Sequence, residues 1–268
     1  MNRIYCIDCI EGMRRHLPDA SVDVIVTSPP YNIGTRYSGH RDDMPFDEYL
    51  DWMERVAVEC RRVLKDEGSF FFNIGENPSD QLRAFRVADR MTRHLRLQNT
   101  IIWVKSIAVP EHNVNIGHYK PVRSPRYLNH CHEFIFHLTP LGRTPLDKLA
   151  VGVPYQDKSN IGRWKSAQQD LRDRGNVWFI PYRTVQVRKA HPAAFPERLV
   201  EMCLRLHGLA KGRLLVLDPF MGSGSTALAA RALGCDYVGF EIDPHYVRMA
   251  QERLGHPHEG DARPGPAP

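Results

Sequence analysis

Apolar positions in this chain come in short dense runs separated by polar turns, and the runs alternate between two periods. Val22 to Val26 (VDVIV), Ser69 to Ile74 (SFFFNI), Asn99 to Val104 (NTIIWV), Glu133 to Leu138 (EFIFHL), Arg213 to Leu217 (RLLVL) and Tyr237 to Ile242 (YVGFEI) read as buried strands, rich in β-branched and aromatic side chains. Arg3 to Asp8 reads as a further short strand. Between these runs the spacing changes to that of a helix. From Asp47 to Leu64, Tyr49, Leu50, Met53, Val56, Ala57, Cys60, Val63 and Leu64 recur on one face, with Gly68 as the expected stop. Ile10 to Leu17 and Gln81 to Leu95 predict helices. So do Leu199 to Leu206 behind Pro196, closed by Gly208, the alanine-rich run to Leu233 capped by Gly234, and Pro244 to Leu254. Alternating strands and helices, with strands apolar throughout, predict an α/β chain built on a doubly wound, mostly parallel sheet.

The pattern breaks at Lys105. Prolines at 110, 121, 125, 140, 145, 154 and 181 interrupt it, and only residues 133–138 look like a strand. Residues 141–187 carry weak periodicity, basic side chains and the aromatics Tyr155, Trp164, Trp178, Phe179 and Tyr182, which predicts an inserted recognition region outside the core. Residues 32–44 are polar and poorly periodic, as a substrate-contacting loop would be. The last stretch, 256–268, holds four prolines and two glycines and predicts a disordered tail.

Composition narrows the class. An apolar fraction of 42% and a charged fraction of 25% are those of a soluble globular protein, and no window nears the ~18 uninterrupted apolar residues of a membrane span. The amino terminus enters a strand pattern without a signal peptide, so the cytoplasm is the expected location. Six scattered cysteines predict reduced core residues, and no metal site is expected. Cys6-Ile7-Asp8-Cys9 has no second pair, and His130-Cys131-His132 puts two histidines on one strand face without further ligands nearby. Charge changes the picture more. Residues 105–190 hold 14 Lys+Arg against 6 Asp+Glu, whereas the rest of the chain holds 22 against 25. Concentrated basic charge is the footprint of a polyanion-binding surface.

Two constellations carry candidate chemistry. Thr27-Ser28-Pro29-Pro30-Tyr31 follows the strand at 22–26, and ligands in open α/β sheets lie beyond the carboxyl ends of the strands. The paired prolines fix φ and remove two amide donors, so rigid carbonyls, a short acceptor and an aromatic face converge where a planar ring with an amino group can be gripped. The second is Asp218-Pro219-Phe220-Met221-Gly222-Ser223-Gly224-Ser225-Thr226 between a strand and a helix. Glycines there let backbone approach a ligand at the helix amino terminus. Glu241 ends the next strand 19 residues after Gly222, a position that suits a carboxylate accepting both ribose hydroxyls of an adenosine.

The glycine stretch resembles the AdoMet-binding motif of DNA amino-methyltransferases, and Thr27 to Tyr31 resembles their (S/D/N)-P-P-Y catalytic motif. Catalytic motif first, AdoMet motif last, with a basic insertion between them, is the order of the circularly permuted β group. The resemblance implies a Rossmann-like AdoMet-dependent methyltransferase fold with residues 1–104 as the catalytic half, 105–187 as the target-recognition insertion and 188–255 as the cofactor half. It assigns catalysis to Ser28, Pro29, Pro30 and Tyr31. S-adenosyl-L-methionine falls to Asp218, Pro219, Phe220, Gly222, Ser223, Gly224, Ser225, Thr226 and Glu241, with Ser28 beside it. Asp8 and Cys9 match the stretch bordering the adenine, and His191 to Pro196, with Phe195, matches the segment over the methionine part. Gly175 to Trp178 matches the motif that closes the recognition region. Arg36, Arg123, Arg126, Arg163, Lys165 and Arg174 are the basic side chains expected on double-stranded DNA.

What the resemblance implies is methyl transfer to an exocyclic amine. Ser28 Oγ and the Pro29 carbonyl would accept hydrogen bonds from the amino group, and a target base flipped out of the duplex would stack on Tyr31. No cysteine follows a proline, so the Pro-Cys nucleophile of C5-cytosine methylases is absent. Serine at position 28 is commoner among N4-cytosine enzymes of the family, which favours cytosine over N6-adenine. An RNA methyltransferase and a DNA-binding protein that has lost its chemistry are the remaining readings. The family adds two candidate partners, a second copy of the chain and a cognate restriction endonuclease.

Overall fold

The computed structural model describes residues 2–34, 42–117, 121–163, 169–181 and 195–255. The predicted tail at 256–268, the residues 191–194 expected over the methionine part of the cofactor, and Arg36, Trp164, Lys165 and Tyr182 lie outside them.

Among the described residues, eight strands form one sheet: β1 (Arg3–Cys6), β2 (Val22–Thr27), β3 (Leu64–Ile74), β4 (Arg96–Val104), β7 (His132–Thr139), β8 (Val177–Phe179), β9 (Leu215–Asp218) and β10 (Asp236–Glu241). A separate hairpin pairs β5 (Ser106–Val109) with β6 (Val114–Gly117). In space the large sheet runs β1-β10-β9-β2-β3-β7-β4-β8, and only β7 is antiparallel to its neighbours. This is the doubly wound, mostly parallel α/β sheet that the alternation predicts. The pleat sorts its side chains. Phe70 and Phe72 face helices α1 (Cys9–His16), α2 (Phe46–Val63) and α3 (Arg83–Met91), while Phe71 faces α4 (Glu197–His207) and α5 (Ser225–Ala232). The last helix, α6 (Pro244–Gly255), follows β10. Among the described residues, no helix is long and apolar enough to cross a membrane.

Three local expectations change. Gly68 does not stop helix α2. Leu64 is already extended (φ −77°, ψ 131°) and starts β3, so Gly68 lies inside the strand. There the partner register jumps from Val22↔Leu64 to Val24↔Ser69, and the extra residues form an irregularity in which an added Cβ would meet Leu64. Asp8 does not extend β1. Its side chain accepts from the amides of Ile10 and Glu11 and caps α1.

The third change is in the basic region, which is less separate than its composition suggests. Besides β7 it supplies β8, which lies parallel to β4, and buries Trp178, Ile180 and Val151 in the main core. Trp103 Nε1 donates to the Ile180 carbonyl at 2.8 Å. Trp178 is therefore a packing residue and not part of a recognition surface. Its indole donates to Gly175 O at 3.1 Å, which leaves the apolar ring free to fill the core. His130 sits ahead of β7 near Gln81 and Glu76, so only His132 of the His130–His132 pair is on the strand.

A buried polar chain crosses the same core. Asn99 Nδ2 lies 3.0 Å from His137 Nδ1, His137 Nε2 3.1 Å from Ser69 Oγ, and Ser69 Oγ 2.9 Å from His207 Nδ1. The directions agree when both imidazoles are neutral: the amide donates to His137, His137 to Ser69, and Ser69 to His207. Burial pulls His137 down to about 3 and His207 to about 4, from an ordinary value near 6.5. The folded state thus refuses protons that the unfolded chain accepts. Stability from this chain is complete above about pH 6.5 and is lost as the pH falls toward the folded values, by at most about 1.4 kcal/mol per pH unit for each histidine. Chemical denaturation of the wild type at pH 7 and pH 5 should show the loss, and His207→Gln should flatten the dependence. Equal slopes in the two proteins would refute this role.

Candidate active site

The sheet reverses its winding between β9 and β2, and their carboxyl ends open the cleft. Asp218 ends β9 and is 1% exposed. Its carboxylate accepts from Thr27 Oγ1 at 2.5 Å, Thr226 Oγ1 at 2.6 Å and the Phe220 amide at 3.0 Å. Burial nonetheless raises it to about 6, the three donors only partly opposing that cost. Asp218 therefore braces the two motif loops from beneath.

Beyond Asp218 the chain turns through Pro219 to Gly224 into α5. Gly224 has φ 88°, and a Cβ there would fall 2.9 Å from Ala250 Cβ, so only glycine permits this approach to α6. Gly222, also at positive φ, donates its amide to Glu241 Oε2 at 2.9 Å, and the other carboxylate oxygen accepts from the Asp243 amide at 2.9 Å. Burial raises Glu241, and each oxygen keeps lone-pair capacity beyond its one amide. The Phe220 ring stands edge-on to Trp52, with centroids 5.4 Å apart. Pro219, Ser223 and Ser225 are buried in the same turn. Ser223 is turned to the protein side: Arg253 Nη1 donates to its carbonyl and, at 3.1 Å, to its hydroxyl, while Arg253 Nη2 reaches Glu197 at 2.8 Å. Thr226 spends its hydroxyl on Asp218.

The other loop is tied as firmly. Tyr49 Oη donates to the Pro30 carbonyl at 2.8 Å, and Arg83 Nη1 to the Asn32 carbonyl at 2.8 Å. Beyond them, Asp42 accepts the Asn32 amide at 2.6 Å, and Asn32 and Met44 exchange two bonds of 2.8 Å, which closes the neck of the loop. Tyr31 Oη lies 2.8 Å from Ser28 Oγ, 2.9 Å from Glu133 Oε2 and 2.7 Å from Asn73 Nδ2. Asn73 Nδ2 also lies 2.7 Å from Glu133 Oε2, and Lys105 Nζ donates to Glu133 Oε1 at 2.7 Å. Burial, then the charge of Glu133, keeps the Tyr31 phenol protonated well above its usual range. Asn73, Lys105 and Glu133 are absent from the sequence reading because each sits at the end of an apolar strand run. A polar residue interrupting such a run was the signal available.

Asp8 and Cys9 follow β1 beside Glu241, where the Ile7 amide donates to the Glu241 carbonyl at 3.0 Å. Asp8 is a helix cap, Cys9 is the first residue of α1 and is 4% exposed in the core, and Phe195 is 8% exposed in the core under α4. Arg123 is exposed, and Arg126 is exposed with its guanidinium 5.3 Å from the Tyr127 ring centroid. Arg163 is exposed and pairs locally with Asn160. Arg174 departs from a free phosphate contact. It is partly buried, its Nε donates to the Val151 carbonyl at 2.8 Å, and burial lowers its proton affinity. Among the described residues, no His, Cys, Asp and Glu group gathers a metal site.

Similarity to known proteins agrees with this geometry. The family model described as DNA methylase, of the N6/N4 methyltransferases, matches residues 22–252. The type II methyltransferase M.BglII of Bacillus subtilis is 30% identical over 280 residues, covering 98% of this chain and 72% of the relative. The fold is that of PvuII DNA methyltransferase (cytosine-N4-specific), at a TM-score of 0.70 and 22% identity over 94% of this chain and 86% of that one. It is also that of a putative DNA modification methylase from Thermus thermophilus solved with S-adenosyl-L-methionine, at a TM-score of 0.62 and 24% identity over 95% and 93%. The chain belongs to the N6/N4 DNA methylase family.

Proposed function

We propose that this DNA methylase is a β-group, circularly permuted enzyme of the Ser-Pro-Pro-Tyr type that methylates the exocyclic N4 amine of cytosine in duplex DNA. The observation that carries the reading is the meeting of Ser28 and the glycine turn across the Thr27–Asp218 bond. S-adenosyl-L-methionine is the cofactor, and it supplies an electrophilic methyl group held on a sulfonium. The residues present fit it. Gly222 and Gly224 carry the backbone at positive φ into the amino terminus of α5, Glu241 has acceptor capacity for two hydroxyls, and Phe220 offers an apolar ring at the rim.

The residues of this chain act by holding. The Pro29 carbonyl and Ser28 Oγ are the acceptors for the two amino hydrogens, and Tyr49 holds their loop through the Pro30 carbonyl. Accepting both favours a pyramidal nitrogen whose lone pair is withdrawn from the ring and free to attack. Tyr31, clamped through its hydroxyl, offers a ring face to an extruded base. Arg123, Arg126 and Arg163 are the described basic side chains for the duplex backbone, and the recognition region is the part of 105–187 outside β7, β8 and the buried core residues.

Mass spectrometry of nucleosides from duplex DNA treated with the protein and S-adenosyl-L-methionine should yield N4-methylcytosine. N6-methyladenine would keep the family and overturn the base, while RNA methylation alone would overturn the substrate. Ser28→Ala should slow single-turnover methylation by about 100-fold with cofactor binding retained. Gly224→Ala should abolish cofactor binding, measured by calorimetry. Tight binding by that variant would contradict the assigned turn.

A further inference from the structure

We propose that Glu133, held by Lys105, is the positioning residue that sets the hydrogen-bond polarity of Ser28 through Tyr31 and takes up the proton released by the methylated amine. The inference rests on the amino-methyltransferase reading above and assigns it a proton path.

Counting hydrogens gives the direction. Tyr31 Oη carries one proton and has three neighbours: Ser28 Oγ, Glu133 Oε2 and Asn73 Nδ2. Asn73 Nδ2 is a donor; its two hydrogens serve Tyr31 and Glu133, both at 2.7 Å, ahead of Ser28 Oγ at 3.5 Å. An ionised carboxylate is acceptor-only, so the phenol proton goes to Glu133. Tyr31 must then accept from Ser28, which turns the serine proton inward and leaves its lone pairs facing the cleft. Lys105 Nζ, 2.7 Å from Glu133 Oε1, fixes which oxygen meets Tyr31. The Lys105 and Glu133 side chains are 18% and 16% exposed, so their charges interact with little screening.

Without the carboxylate the polarity inverts. A phenol proton with no anion to meet turns to Ser28, and the serine proton turns outward as a donor. A donor there repels the amino hydrogens that Ser28 must accept.

The same chain disposes of the proton. As the amine nitrogen bonds to the methyl carbon, the carbon–sulfur bond breaks and its electron pair stays on sulfur. The nitrogen, now cationic, gives a proton to Ser28 Oγ while Ser28 passes its own to Tyr31 and Tyr31 passes its own to Glu133. Glu133 ends as a neutral acid and releases the proton to water.

The test compares wild type, Glu133→Gln, Tyr31→Phe and the double variant. Single-turnover methylation should fall at least about tenfold in each single variant, and the double should be no slower than the slower single. Dissociation constants for S-adenosyl-L-methionine and for duplex DNA should stay within about twofold, a split that a structural role would not give. In cofactor-free protein with ¹³C-labelled tyrosine, the Tyr31 Cζ signal, assigned by its loss in Tyr31→Phe, should shift in Glu133→Gln. Unchanged rates, binding that weakens in step with rate, or an unmoved Tyr31 signal would overturn the proposal. Should Glu133→Gln not fold, Tyr31→Phe keeps the ring and the Glu133–Lys105 pair and carries the kinetic test. A wild type that methylates no amine sinks the underlying reading instead, and the Tyr31 signal still reports on the hydrogen-bond chain.

Discussion

The site depends on one buried contact, the hydrogen bond from Thr27 to Asp218 across 191 positions of sequence. It lies where the sheet changes its direction of winding, between the strand that launches Ser28–Tyr31 and the strand that launches the glycine turn. A carboxylate at 1% exposure is costly, and three donors are assembled around this one. Two of those donors belong to the glycine turn and one to the strand that leads into Ser28–Tyr31. Neither loop can shift without leaving a buried charge short of a partner. Because interiors are close-packed and a stranded polar group costs more than a made bond gains, such a brace holds two loops in register more strictly than surface contacts could.

The clamps above it follow the same logic. Tyr49 on the Pro30 carbonyl, Arg83 on Asn32 and Arg253 on Ser223 fix backbone around the cleft from neighbouring helices. Each anchoring side chain comes from a regular helix, so the irregular loops borrow rigidity from elements that have it. Positioning is most of what amine methylation asks of a protein, since the nucleophile is the substrate's own nitrogen.

Legibility in the sequence divides along a physical line. The large-sheet strands through β10 except short β8, and the long helices, announce themselves through period. The two motif loops announce themselves through prolines and glycines whose backbone demands are unusual. What escaped detection is polar and depends on distant partners. Asn73 and Glu133 hide inside runs read as apolar strands and meet Tyr31 only because antiparallel β7 lies against β3. Trp178 went the other way. An aromatic in a basic, proline-broken stretch looks like a recognition residue, but three residues of strand on the sheet edge were enough to bury it. Short strands carry too little periodicity to be seen before their neighbours are known.

The reversed strand also matters for chemistry. In an all-parallel sheet the cleft receives residues only from strand carboxyl ends. Because β7 runs the other way, its amino-terminal residues His132 and Glu133 arrive at the same edge as the carboxyl ends of β2 and β3. Glu133 therefore approaches Tyr31 from a third direction, opposite the glycine turn in the strand order. That separation has a use. On the proposed reaction, the Glu241 carboxylate serves the cofactor side, where its acceptor capacity suits ribose hydroxyls, while Asp218 stays beneath as the brace. In the proposed proton path, the Glu133 carboxylate serves the target side and collects the proton after the methyl group has moved. One antiparallel strand thus lets a single cleft carry two acidic groups with different tasks, kept apart by Ser28 and Tyr31.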